Sequence, residues 1–196
     1  QGPGRAQRDA AAAPFAFVSL SDPSLRAVRV IDLETMAIET TIGNVGDEPS
    51  RMVANADRTL IYLSSWADVP GLFNEGQVYV IDTRLRRVIA SRAVGIKQNR
   101  TIALSPDGLR VYTWKLESVD GVTTIGVAVL DAITLAEIAV APISGPSCIQ
   151  FASQIAVAPD GRIVAAGCDD GLRIIDPVTF AVSIGGLAAR SSSPVY

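Results

Sequence analysis

Gln77 to Tyr112, QVYVIDTRLRRVIASRAVGIKQNRTIALSPDGLRVY, decides the reading of the fold, because its landmarks recur along the chain at a nearly constant distance. Its strand ending in Ile81-Asp82 has counterparts at Ile31-Asp32, Leu130-Asp131 and Ile175-Asp176. The aspartates at 32, 82, 131 and 176 thus stand 50, 49 and 45 residues apart. The turn Pro106-Asp107-Gly108 returns as Pro159-Asp160-Gly161 and, degraded, as Ala56-Asp57-Arg58. A period in the forties to fifties, built only from short strands, predicts the blades of a β-propeller.

Outward from that stretch, residues 1–14 read as a flexible lead of small, polar and turn-forming residues. A first blade, 15–42, has three strands, Phe15 to Leu20, Ala27 to Asp32 and Ala37 to Ile42, and lacks its innermost one. Complete four-stranded blades are expected at 51–94, 101–142 and 154–186, and 187–196 reads as a loose tail. The fold class is therefore all-β, with about four four-stranded blades. Closed rings of such blades need more, and an open end would leave apolar faces and strand edges bare. Another polypeptide is expected to complete the ring: the other half, a copy of this chain, or a cleaved remainder.

Composition narrows the chemistry. With 48% hydrophobic residues, 19% charged and a net charge of −3, the chain reads as globular, and nucleic acid is not an expected partner. Arg84, Arg86 and Arg87 sit together, but in a turn, where a solvated surface is the reading. The chain has no histidine, which excludes a Ser-His-Asp triad, a histidine base and any imidazole metal ligand from it. Two cysteines are too few for a four-cysteine zinc site. The most apolar run, Ile125 to Ile143, is broken by Asp131 and Glu137, so no membrane span is expected. The start at Gln1, without Met or an apolar leader, reads as the product of signal removal or as an internal proteolytic fragment; with a plausible disulfide, a processed start makes a periplasmic or extracellular location the expectation.

The lines Val78-Tyr-Val-Ile-Asp82, Ile102-Ala-Leu-Ser-Pro-Asp-Gly108 with Val111-Tyr112, and Ile155-Ala-Val-Ala-Pro-Asp-Gly161 resemble the YVTN family of β-propellers, from about Phe15 to Gly186. Two further features are similar to the heavy chains of periplasmic quinoprotein amine dehydrogenases, which are seven-bladed propellers. These are the long insert Trp66 to Gly76 and the pair Cys148 and Cys168, the latter in Cys168-Asp-Asp-Gly171. That likeness implies a partial seven-bladed ring that holds no cofactor itself and frames a cofactor-bearing partner subunit. The loop Gly43 to Ser50 departs from those heavy chains in lacking an aromatic residue.

In a propeller the Pro-Asp-Gly hairpins and the turns after Ile-Asp lie on one face. The inserts Trp66 to Gly76, Lys115 to Ile125 and Ile143 to Ser153 then gather on the other, where binding is expected. Its candidate binding residues are Trp66, Asp68, Phe73, Asn74, Glu75, Lys115 and Glu117, with Trp66 and Phe73 alternatively folding back to cap their blade. Arg51, Arg100 and Gln154 stand at the mouth of the central channel. Arg51 and Arg100 differ in register by one, which disfavours a shared anion site. Cys148 and Cys168 are placed at one end of their blade, so a disulfide is reasonable, beside the alternative of two buried thiols. Asp169, Asp170 and Glu75 read as surface carboxylates without a calcium-loop pattern. No catalytic residue, metal or cofactor is expected in this chain. The leading function is a scaffold or binding subunit, the alternatives an amine dehydrogenase heavy-chain-like subunit or part of a propeller hydrolase such as a lactonase.

Overall fold

The computed structural model describes residues 14–20, 25–67, 75–96, 101–119, 122–143, 154–168 and 171–185. They form fifteen strands and no helix. No helix of the described residues is long and apolar enough to cross a membrane.

The first blade is a three-stranded antiparallel sheet of β1 (Phe15–Ser19), β2 (Val28–Asp32) and β3 (Ala37–Ile42). The second runs β4 (Arg51–Ala54), β5 (Leu60–Ala67), β6 (Glu75–Asp82) and β7 (Arg87–Ile96). The third runs β8 (Ala103–Leu104), β9 (Arg110–Val119), β10 (Val122–Asp131) and β11 (Glu137–Ile143). A single parallel bridge, Gly95 to Leu116, joins these two blades into one eight-stranded sheet. The fourth comprises β12 (Gln154–Val157), β13 (Ile163–Cys168), β14 (Gly171–Ile175) and β15 (Val182–Gly185).

The continuous hydrophobicity of the middle strands follows from how the blades pack. Successive side chains of a strand point to opposite faces. In the second blade Ile61, Leu63, Tyr79 and Ile81 therefore meet Val28, Val30 and Val45 of the first. Tyr62, Val78 and Val80 point the other way, onto Val111, Ala128 and Leu130 of the third. The third blade repeats the arrangement, with Tyr112, Trp114, Val127 and Val129 packed on Ile155, Ile163 and Ile175 of the fourth. The core is thus three apolar layers, each between two sheets, and no blade owns one alone.

Several strands outrun their sequence-based bounds. Trp66 pairs with Gly76 and Ala67 with Glu75, so the expected insert between the second blade's middle strands narrows to residues 68–74. The expected loop Lys115 to Ile125 is mostly a hairpin, with β9 and β10 paired out to Val119 and Val122. Polar residues such as Lys115, Glu117 and Thr123 suggest a loop by composition, yet cross-strand pairing accommodates them in a sheet extension. Conversely, the first strand of the blade expected at 101–142 is short, Ala103–Leu104.

Candidate functional site

The innermost strands β4, β8 and β12 converge at their first residues. Arg51 Nη1 donates to Gln154 Oε1 at 2.6 Å, across 103 residues of sequence. Between them Thr101 is fully buried: its Oγ1 accepts from the Ile155 amide at 3.1 Å, and its carbonyl accepts from Thr113 Oγ1 at 2.9 Å. Arg51 and Gln154, both expected at the channel mouth, therefore meet, while Arg100 lies outside the described residues. The register difference between Arg51 and Arg100 has a structural counterpart, because the residue that matches Arg51 in the third blade is Thr101.

On the expected loop face, Asp68, Phe73 and Asn74 lie outside the described residues. Trp66, Glu75 and Glu117 lie in β5, β6 and β9, with side chains that are not described. Lys115 is a β9 residue whose ammonium contacts both carboxylate oxygens of Glu137 on β11, at 3.0 and 2.9 Å. It braces the third blade across β10, together with Arg92 of the second blade, 3.8 Å from the same carboxylate. Cys148 lies outside the described residues; Cys168 ends β13 with its side chain not described, so their pairing stays an expectation.

Two cavities open instead on the face of the tight hairpin turns. The larger, about 870 Å³, lies between the first and second blades. Its apolar floor is Phe15 and Phe17 of β1 with Met52, Ala54 and Ile61 of β4 and β5. Its rim is Leu33, Thr83 and three arginines, Arg58, Arg84 and Arg86. Arg58 holds a φ of 60° where the matching turn residues are Gly108 and Gly161, and its carbonyl accepts from Thr83 Oγ1 at 2.8 Å. Arg86 stacks its guanidinium 4.7 Å above the Phe15 ring and pairs with Glu39. In the Arg58 turn, Asp57 accepts from the hydroxyl and amide of Thr59, which holds its carboxyl below the ordinary range.

The smaller cavity, about 320 Å³, occupies the corresponding place between the third and fourth blades. Its lining shares several equivalent positions: Arg110 and Tyr112 for Phe15 and Phe17, Gly161 for Arg58, Pro177 for Thr83. There the turn Ser105-Pro106-Asp107, leading out of β8, forms part of the wall. Arg110 donates to the Pro177 carbonyl at 2.6 Å and lies 5.8 Å from the centre of the Phe180 ring.

The arrangement suits binding. An apolar floor with a cationic rim can receive an apolar segment that ends in acceptor oxygens. Among the described residues no group of three or more acidic, cysteine or histidine side chains is placed to hold a metal ion. Arg84 and Arg86 lie in the turn that the sequence predicts, and from it they reach this rim. The one sequence signal for the cavity was the absence of an innermost strand from the first blade.

No protein-family model matches the chain, and no curated protein matches it. Solved structures do. The hydrazine synthase of Kuenenia stuttgartiensis matches with a TM-score of 0.64 at 18% identity over 83% of this chain. A Dos1 propeller matches with a TM-score of 0.62 at 15% identity over 81% of it. The chain spans 49% of the first structure and 38% of the second. At these identities the likeness concerns the fold: the described residues form part of a β-propeller.

Proposed function

We infer that the chain is a β-propeller scaffold whose ring is completed by further polypeptide, and that it presents its surfaces to a partner rather than carrying out chemistry. The observation behind this reading is the contrast between inner and outer sheet faces. Leu63, on the second blade, is fully buried against the first; its counterpart Val18, on the first blade's outer face, is 39% exposed. At the other end Leu172 and Ile174 are half-buried, whereas their counterparts Val78 and Val80 are fully buried against a following blade. Both ends carry residues of core type in register with true core residues, so each face is patterned for another blade. A periplasmic or extracellular location belongs to the same reading and rests on the cysteine pair.

Native mass spectrometry of the protein isolated under non-reducing conditions tests it. A complex heavier than the 20.6 kDa chain is expected, with the added mass identifying the remainder of the ring. A lone 20.6 kDa species would overturn the reading. The intact mass of this chain should be lower by two thiol hydrogens, and a fully reduced mass would remove the support for the oxidising compartment. A redox chromophore carried by the added mass would shift the assignment to an oxidoreductase subunit.

A further inference from the structure

We propose that the cavity between the first and second blades, with the edge of β1 that no described strand pairs, is the receiving site for one extended strand donated by the polypeptide that completes the ring. The inference deepens the functional reading above and rests on it, since it names where and how that polypeptide engages.

Three observations converge. The first is the edge. Leu20 N–H donates to Ala27 O and Leu33 N–H to Pro14 O, so the even-numbered residues of β1 bond toward β2. Strand alternation then turns the amides and carbonyls of Phe15, Phe17 and Ser19 outward. In the second blade the matching carbonyl of Ser64 accepts from Ser50 N–H, and that of Leu60 from Asn55 N–H, at the two ends of β4. The second is volume: the equivalent cavity is about 320 Å³ where an innermost strand and its turn are present, and about 870 Å³ here. The third is charge. The turn after each innermost strand carries an aspartate, Asp57, Asp107 or Asp160, and the rim here carries Arg58, Arg84 and Arg86.

The occupant's chemistry follows from the chain's own innermost strands, Arg51-Met-Val-Ala54, Thr101-Ile-Ala-Leu104 and Gln154-Ile-Ala-Val157. Each starts with a polar residue and continues with apolar ones. The third residue, Val53 or Ala103, packs toward the next blade, and its equivalent here would enter the cavity opposite Phe17. This chain's first residues do not fit that role. Counting back from Phe15 by the spacing between Val53 and Leu60 reaches Arg8, flanked by Gln7 and Asp9. Such a segment would set charged groups against Phe17 and Met52. A donated strand satisfies the edge and the cavity together, the β-augmentation mode of peptide recognition.

The test uses a synthetic peptide with the sequence of residues 101–108, TIALSPDG, capped at both ends and titrated into the full chain to about 1 mM. Saturable binding is expected, with amide exchange at Phe17 and Ser19 slowed by about tenfold and little change at Ala16 and Val18, which already bond to β2. N-methylation of alternate peptide amides should abolish both effects. Ala54→Arg, at an exposed position in the cavity floor, should abolish binding while circular dichroism and Tm stay near those of the parent chain. Saturation without protection at Phe17 and Ser19 would overturn the proposal, as would binding of decanoate in the cavity that excludes the peptide without protecting them. A heavy native complex in which the Phe17 and Ser19 amides exchange freely and the peptide does not bind would reject the strand site and leave the completed ring standing. A lone 20.6 kDa species that still binds the peptide would do the reverse.

Discussion

At the residue scale the most repeated device is the aspartate that closes the third strand of each blade. Asp32, Asp82, Asp131 and Asp176 each accept two backbone amides, from the residues two and three positions on, through one carboxylate oxygen. The chain then passes through a left-handed residue at the fourth position, Met36, Arg86, Leu135 or Phe180, with φ between 52° and 57°. Aspartate suits the site because its short side chain mimics a backbone carbonyl at a turn. At Asp131 the bonds from the amide and hydroxyl of Thr134, then the amide of Ile133, hold the carboxyl below its ordinary range. At Asp176 the amides of Thr179 and Val178 and the Thr179 hydroxyl do the same. A depressed folded-state value means the contribution is present above the unfolded value, near pH 4, and fades as pH falls through the folded one. Asp131→Ala is therefore expected to lower Tm at pH 7 and to lower it less at low pH, as the parent carboxyl takes up its own proton. An equal loss at both pH values, in thermal melts followed by circular dichroism, would show that charge is not what the turn uses.

At the scale of the element, sheet register sets the tolerance to change. Gly126 on β10 lies opposite Pro142 on β11, and a Cβ there would meet Val140 Cγ1 at 2.7 Å and the Ala141 carbonyl oxygen at 2.8 Å. The carbonyl belongs to the paired strand and cannot rotate away, so Gly126→Ala should cost about 1–3 kcal/mol in denaturant unfolding. Gly43 has nothing within 4 Å of the same construction, and Gly43→Ala should stay within about 0.5 kcal/mol. Strand existence was legible from alternation bounded by Asp-Gly and Asx turns; strand ends were not. Lys115 and Glu117 read as loop residues because they are charged, but β10 continues to pair with β9 beyond Leu116. The Lys115–Glu137 ion pair spans two strands, a relation that local composition cannot reveal.

For the whole molecule, stability resides between blades. Leu130 is fully buried in the layer shared by the second and third sheets, so Leu130→Ala should destabilise by about 2–5 kcal/mol. Val18→Asp, on the outer face of the first blade, should leave the Tm of the lone chain within a few degrees and weaken the assembled complex severalfold. Loss of the complex without loss of the lone fold would mark that face as an interface; no effect on either would exclude it.

The sequence by itself determined the repeat, the all-β class and the aspartate turns, because each is a matter of local period and turn chemistry. Only the tertiary structure decided that Arg51 reaches Gln154 and that Lys115 serves as a brace. It likewise decided that Arg84 and Arg86, from a turn, share a cavity with Phe17 and Met52, from two different blades. The physical reason is common to all three. Sequence period tells which way a side chain points from its own strand, while the neighbour it finds there is set by how sheets 50 residues apart in sequence stack on one another.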